Sequence, residues 1–397
     1  MCINQLQTAL ILLNILRGEM LTMKICMYSI DQVFQMHTGG VRRFVELMNA
    51  LIDAGHDVTL YSADDQENYA KQGIKGFSIK TNENQKKQMI GLRSAFGNKE
   101  IFKKIRIEKY DRVIVFDVRA AFSLVVNNIT NIYLFLRQDL ISYKRIQLQN
   151  RNINTIAQGI ILYISNITET LCLMRSNKVV VQCKYDLDSL LKRHPFIRKK
   201  VEEKSVVQIN NVNPSWIGKN DNIISDSAKK YDIVFIGNFK DTRKGHDILL
   251  EVVKKIIDEG HNIHVAIIGD GKLLEEEKNK YSCYTSIEFL GRLNNPIPIL
   301  MNSALLVVPS YADSCPNTVM EGLFYNVPVI GSNRGGIPEI LMNREWLFEP
   351  NAESLKLKIE DVINNDNLKI LKEKQLIRSK ELTFDWGYRM RLIVESV

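Results

Sequence analysis

Residues 307–340 read VVPSYADSCPNTVMEGLFYNVPVIGSNRGGIPEI. The stretch opens inside a short apolar run, Leu305–Pro309, bounded by turn residues, which is how a buried strand reads. Pro316 and Asn317 suit a helix start, and Val319, Met320 and Leu323 begin an apolar face at the helical period. Val327–Gly331 is a second strand-like run, and Arg334-Gly335-Gly336-Ile337-Pro338-Glu339 turns at its carboxyl end. Strand, helix and strand in this order predict parallel pairing with helices covering both faces of the sheet.

The same alternation extends in both directions. Lys24–Ile30, Val58–Tyr61, Val113–Asp117, Ile132–Leu136 and Lys178–Gln182 read as strands of one series. After the first of them, Val41, Phe44, Val45, Met48, Leu51 and Ile52 follow the helical period, and Gly55 stands where a helix stops. The pattern restarts at Tyr231, with Asp232–Gly237, Ile263–Gly269 and Ile287–Leu290 as strands. A helix carrying Ile248, Leu249, Val252, Val253, Ile256 and Ile257 lies between the first two. At 397 residues the chain exceeds one ordinary core, so two doubly wound, Rossmann-like α/β domains are predicted. The first covers 23–205 and the second starts at 206. The join, Val206–Tyr231, holds Pro214 and several Asn residues without strong periodicity. Residues 1–22 contain only a short apolar run, Thr8–Leu16, with no basic leader or small-residue cleavage site. They read as a loosely attached leader or a mis-called start.

Hydrophobic residues make up 45% and charged residues 25%, which excludes a disordered or fibrous chain. The six cysteines are scattered, with no paired spacing, as in a reducing compartment and unlike a disulfide or zinc framework. The net charge of +8 points to anionic partners. Its excess gathers in one run that includes Lys86, Lys87 and Arg93 and in another holding Lys192, Arg193, Arg198, Lys199 and Lys200. A solvated face accounts for any one of them; together they suit peripheral contact with an anionic membrane through the first domain. No basic motif interleaved with aromatics appears, so nucleic acid is not expected. Ile153, Ile156, Ala157, Ile160, Ile161 and Ile164 form a stripe at helical spacing. We read it as a core-facing helix, the alternative being an interfacial helix that contacts lipid or a lipid-linked acceptor.

Tandem Rossmann-like domains set the carboxyl ends of two sheets across a cleft, where ligands bind. Anion-binding devices are therefore expected just after strands. Thr38-Gly39-Gly40 precedes the first helix, where backbone can approach a phosphate and the helix terminus offers free N–H groups. Asn238 to Gly245 follows the strand that opens the second domain, and Arg243 and Lys244 there can neutralise a departing diphosphate. Asn317 and Thr318 present amides at a helix start. Glu321, in that helix's first turn, can accept from ribose hydroxyls, or merely complement the helix dipole on the surface. Asp313 with Glu321 can also be read as an acid/base pair or a metal site. Glu339 caps a helix or contacts sugar. The one Asp-x-Asp, Asp186-Leu187-Asp188, is read as a helix N-cap rather than a metal site.

These pieces, in this order, resemble the GT4 family of glycosyltransferases, over most of the chain from Met23. The resemblance rests on GGVRRFVELMNALIDAGHDVTL, FIGNFKDTRKGHDILLEVV, the stretch 307–340 and FDWGYRMRLIVE. It implies the GT-B fold, with the second domain at 206–376 binding a nucleotide sugar and a final helix, 377–397, crossing back to an acceptor-side first domain. It further implies that Glu321 holds the donor ribose and that Asp313 lies near the transferred sugar. Lys244 fits the family lysine, with one extra residue in its loop. The place of the family arginine is taken by Asn238, leaving Arg243 or Lys240 to supply the charge. No His follows Ile132–Leu136; Arg137-Gln138-Asp139 stands there, with Arg137 or Asp139 on the acceptor side, while Asp117 and Arg119 follow the preceding strand. His37 reads as incidental.

The expected catalytic set is thus Asp313, Lys244 and Arg243. The expected donor contacts are Gly39, Gly40, Asn238, Asn317, Thr318, Glu321 and Gly336. Neither metal nor cofactor is expected, the nucleotide sugar being the substrate. The implied activity is retaining transfer of a hexose-type sugar to a glycan or lipid-linked acceptor in surface polysaccharide synthesis, in the cytoplasm or at the inner membrane face. The alternatives are a sugar-nucleotide epimerase of the same architecture and a non-catalytic nucleotide-binding subunit.

Overall fold

The computed structural model describes residues 22–34, 39–80, 96–149, 154–211, 229–363 and 365–396. The expected leader up to residue 21, His37, Thr38, Lys86, Lys87, Arg93, Ile153 and Pro214 lie outside them. Seven strands form the first sheet: β1 (Lys24–Tyr28), β2 (Asp57–Ser62), β3 (Gly76–Ser78), β4 (Arg112–Phe116), β5 (Ile132–Leu136), β6 (Ser176–Val181) and β7 (Ser205–Val207). Their spatial order is β3-β2-β1-β4-β5-β6-β7, every pairing parallel. Six strands form the second: β8 (Tyr231–Ile236), β9 (Val265–Ile268), β10 (Ile287–Gly291), β11 (Ser303–Val308), β12 (Val329–Ser332) and β13 (Leu347–Phe348). Their order is β10-β9-β8-β11-β12-β13, again parallel.

Each sheet reverses its strand order once, between β1 and β4 and between β8 and β11. Crevices open at such switch points, outside the carboxyl ends of the strands. The central strands are covered on both faces and read as near-continuous apolar runs; all of β5 is buried. The short strands β3, β7 and β13 went unread because two or three residues show no period, and each lies at a sheet edge.

The helices follow their apolar stripes. In the first domain they are α1 (Gly39–Asp53), α2 (Gln66–Gln72), α3 (Lys99–Glu108), α4 (Val118–Val126), α5 (Leu140–Gln149), α6 (Thr155–Arg175), α7 (Lys184–Arg193) and α8 (Arg198–Lys204). α1 turns Phe44, Leu47, Met48 and Leu51 onto the sheet and takes Gly39 and Gly40 into its own first turn. The second domain holds α9 (His246–Asp258), α10 (Leu274–Lys280), α11 (Ile297–Met301), α12 (Asn317–Phe324), α13 (Ile337–Leu341), α14 (Ala352–Ile363) and α15 (Asn365–Glu381). Inside α15, Gln375 pairs with β12 as a strand would, accepting from the Val329 N–H at 2.8 Å and donating to its carbonyl at 2.7 Å.

The core-facing reading of the stripe from Ile156 to Ile164 is overturned. α6 buries Ser165, Glu169, Cys172 and Leu173, while Ile156, Ile160 and Ile164 stand more than half exposed. The inward side carries the polar groups because neighbouring helices satisfy them: Glu169 accepts from Arg193 Nε at 3.2 Å and lies 2.8 Å from His194 Nε2.

The chain returns to the first domain at Leu382–Asp385, beyond the end of α15, rather than at 377. The final helix, α16 (Trp386–Glu395), lies on α1. Trp386 is buried under Arg43, whose guanidinium carbon sits 4.8 Å from the ring centre. His56 Nε2 meets Glu395 at 2.9 Å, and Arg112 donates to the Val394 carbonyl at 3.1 Å. Arg43 also donates to Asn211, at 2.6 Å to its side chain and 2.7 Å to its carbonyl. Asn211 in turn donates to the Phe384 carbonyl. One fully buried arginine thus holds both crossings between the domains.

Trp386→Ala should therefore cost about 3–5 kcal/mol in urea-induced unfolding, the usual range for emptying a buried aromatic site. Leu392→Ala, exposed on the same helix, should cost about 0.5 kcal/mol or less.

Candidate functional site

The two domains meet helix start to helix start. A Cβ atom on Gly39 would lie 2.7 Å from Nδ2 of Asn317, so the first turns of α1 and α12 face one another with no room for a side chain between them. Pro316 precedes α12, and no side chain caps that terminus. Two helix N-termini aimed at one crevice sum their positive ends there, which favours an anion.

A basic turn lies beside them. Thr242–Lys244 is a single 3-10 turn, started by Asp241, whose carboxylate accepts from the Arg243 N–H at 3.1 Å. Lys244 Nζ is ion-paired to Asp313 Oδ2. Arg243 Nη1 stands 3.6 Å from the same oxygen and donates to the Ala312 carbonyl at 2.9 Å. Burial alone would raise the Asp313 carboxyl; Lys244 and Arg243 outweigh it and hold it below the usual carboxylate range. Two cations face one carboxylate, which leaves a surplus positive charge. Burial pushes the Glu321 carboxyl up, with Arg42 of α1 and Lys244 pulling it back. Glu321 therefore lies within the fields of one cation from each domain.

The loop after β12 holds Asp313 in place. The Gly336 N–H donates to the Asp313 carbonyl at 2.9 Å. A Cβ on Gly335, at φ +60°, would meet that carbonyl at 2.0 Å. A Cβ on Gly336 would strike the Ser314 carbonyl at 1.8 Å and Cys183 of the first domain at 2.9 Å. Protein therefore fills the space where a side chain at Gly336 would stand. Glu339 reaches the other domain, accepting from the Lys184 and Tyr185 N–H groups at 2.7 and 2.9 Å and capping α7. Asn238 accepts from its neighbour Lys240 N–H at 3.3 Å, and Lys240 itself is exposed. Thr318 is half-buried in the first turn of α12.

Two cavities open along the cleft. One, of about 360 Å³, lies at the β1/β4 switch point and is lined by Asp31, Gly40, Asp117, Arg119 and Gln138, among others. The second, of about 300 Å³, lies between the domains, with Gln138, Asp139, Tyr143 and Asp186 facing Asp313 and Arg334. Arg137 lines both and Asp139 the second, and each serves the fold as well. Arg137 donates to the Gly40 carbonyl at 2.7 Å and is lowered to about 10 by burial and by nearby Arg43. Asp139 accepts from Ile141 and Ser142 N–H groups, both at 3.1 Å, at the start of α5, and pairs with Arg193 at 2.9 Å. Gln138, between them, lines both cavities, and as a neutral residue between two charged ones it carries no signal in the sequence. Asp117 starts α4 from φ +109°, a conformation rare outside glycine, and pairs with Arg119 at 2.5 Å. Backbone strain of this kind gathers at functional sites.

Asp186 departs from its expected role. The N-cap of α7 is Cys183, whose sulfur accepts from the Asp186 N–H at 3.4 Å; Asp186 is the third helical residue and is buried. Burial and the charges of Asp139 and Asp313 push its carboxyl up to about 7, against hydrogen bonds with Ser314 and Cys183. The folded chain thus keeps a proton there that the unfolded chain releases near pH 4. Stability from this group is complete below the unfolded value and is lost as pH rises toward 7. Asp186→Asn should leave thermal unfolding nearly unchanged at pH 4. At pH 8 it should stabilise the chain by on the order of 1–4 kcal/mol.

Residues 230–365 match the glycosyl transferases group 1 family. Protein CapJ of Staphylococcus aureus is 26% identical over 187 residues, 41% of this chain and 48% of its own length. The chain therefore spans about half of that relative. The sucrose-phosphate synthase of Thermosynechococcus elongatus superposes with a TM-score of 0.71 at 15% identity, covering 94% of this chain and 98% of its own. The Anabaena HepE protein, solved in complex with UDP and glucose, superposes with a TM-score of 0.68 at 13% identity, covering 94% and 100%. At such identities the likeness is one of fold, and that fold is GT-B.

Proposed function

We propose that this chain, a GT-B protein whose second domain is of the glycosyl transferases group 1 type, is a retaining glycosyltransferase. It moves a hexose-type sugar from a nucleotide donor to a glycan or lipid-linked acceptor in surface polysaccharide synthesis, in the cytoplasm, with the basic first domain at the inner membrane face. The observation that carries this reading is the meeting of the α1 and α12 N-termini beside Lys244 and Arg243. A pyrophosphate needs that distribution of charge, and a diphosphate leaving group needs it more as negative charge builds on it. The Anabaena protein of the same fold, which holds UDP-glucose in another of its structures, supports a nucleotide-sugar donor.

The chemistry follows from the charges. When the donor enters, Lys244 exchanges part of its pairing with Asp313 for the phosphates, and Asp313 turns its free oxygen toward the sugar. Asn317 and Thr318 offer backbone N–H groups to the diphosphate, as do Gly39 and Gly40 from the facing helix. Glu321 accepts from the ribose hydroxyls. The acceptor hydroxyl comes from the first-domain side, past Gln138. Arg243, Lys244 and the two helix termini supply the positive charge for the leaving group, so a divalent ion has no place in this scheme.

UDP should raise the melting temperature of the wild type, as a ligand of the folded state does. Glu321→Ala should weaken UDP binding about 10–100-fold, the range for a hydrogen bond to a charged group. Lys244→Ala should lower kcat about 10²–10³-fold, and turnover should persist in excess EDTA. Conversion of a UDP-sugar to its epimer with no acceptor present, or UDP binding without any transfer across an acceptor panel, would overturn the proposal.

A further inference from the structure

The helix α6 carries an apolar face that the domain leaves uncovered. Ile156, Ile160, Tyr163, Ile164, Ile167 and Leu171 recur every three or four residues along it, between 41 and 77% exposed. From Ile156 to Leu171 they form a strip about 22 Å long on the 21-residue helix. α6 alone, among the described residues, is long and apolar enough to cross a membrane. Its inner side forbids that. Glu169 is buried, held by Arg193 and His194 of the α7 end, and Lys144 of α5 donates to Ser165 at 2.5 Å. Drawing α6 into hydrocarbon would strand these groups, so the helix has to lie flat on whatever covers it.

The charge around the strip says what that is. Glu169 is the one acidic residue in α6 and it faces inward. Directly after the Arg193–His194 anchor come Phe196, wholly exposed, and Arg198, Lys199 and Lys200, all exposed, on a segment whose helix α8 packs against α6; with Lys192 they outnumber the exposed Glu202 and Glu203 at the far end of α8. Lys192 stands exposed just before the anchor. An apolar strip flanked by exposed aromatic and basic side chains is the pattern that sits at the boundary between lipid headgroups and acyl chains. We propose that the α6 face and the 192–200 segment dock this protein flat on a bilayer containing anionic lipid. The docking stands on this surface alone and needs nothing from the reaction at the cleft. Where the transfer reading also holds, the bilayer lies behind α5, whose Tyr143 and Ile146 line the interdomain cavity, so a lipid-anchored acceptor reaches the cleft from that side.

The test is flotation with phosphatidylcholine vesicles, with and without about 30% phosphatidylglycerol. The wild type should bind the anionic vesicles at least about ten-fold better than the neutral ones, and less well at high salt. Ile160→Glu/Ile164→Glu should lower that binding about ten-fold or more, and Arg198→Glu/Lys199→Glu/Lys200→Glu should abolish the preference for anionic lipid. Both variants should keep the wild-type melting temperature and UDP stabilisation, which separates loss of docking from loss of fold and from failure of the proposed chemistry. Equal binding by wild type and the Ile160/Ile164 variant, no binding to either vesicle, or a wild-type dimer split by that variant in light scattering would overturn the proposal.

Discussion

The pairing of Lys244 and Arg243 with Asp313 is the interaction around which the cleft is arranged. Two cations and one carboxylate are held between the ends of β8 and β11, and neither sign is left alone in a half-dry place. A lone buried charge would be costly, and its partners would rearrange to relieve it. Sharing one carboxylate between two cations keeps both preorganised and still leaves positive charge unspent. The facing N-termini of α1 and α12 add to it from either side. A site so composed holds its positive charge in place before any anion arrives, which is what the diphosphate contact proposed above needs.

Keeping that geometry requires the domains to stay in register; the returning α16 packs on α1 through apolar side chains, while the joints across the cleft itself are polar. Glu339 closes the start of α7 from across the cleft, Asn317 abuts Gly39, and Arg43 ties Asn211 and the returning chain to α1. None of these is a broad apolar interface. The large apolar clusters stay within each sheet and its helices, save that the one on α1 takes in Trp386, Met390 and Val394 of the returning α16. Polar joints of fixed geometry can break and re-form with little loss of core, which suits a cleft that has to admit and release ligand.

The order of strands and helices was legible because buried parallel strands advertise themselves as short apolar runs. The helices between them advertise themselves by their period. What misled the sequence reading was α6. Its apolar stripe has the period of a core helix, and periodicity reports which residues share a face without saying which way the face points. Asp186 was misread for a related reason. Its place near a helix start suggested a cap, but Cys183 takes the cap, and the neighbouring carboxylates that perturb Asp186 come from distant parts of the chain. Gln138 stayed unnoticed because a neutral side chain between two charged ones carries no signal until the cavities on either side of it are seen.

By itself, then, the sequence determined two parallel α/β sheets, their glycine turns at strand ends, and a basic turn in the second domain; Glu321, expected in the first turn of its helix, stands in the second turn of α12, because that helix starts only at Asn317. Those follow from local chemistry: chain period, residue shape and charge. Tertiary structure alone decided that Asp313 would sit beside Lys244 and Arg243, that Glu339 would serve the opposite domain, and that the apolar side of α6 would face outward. Each of these depends on groups far apart in the chain, where burial and desolvation are set by packing that no local pattern records.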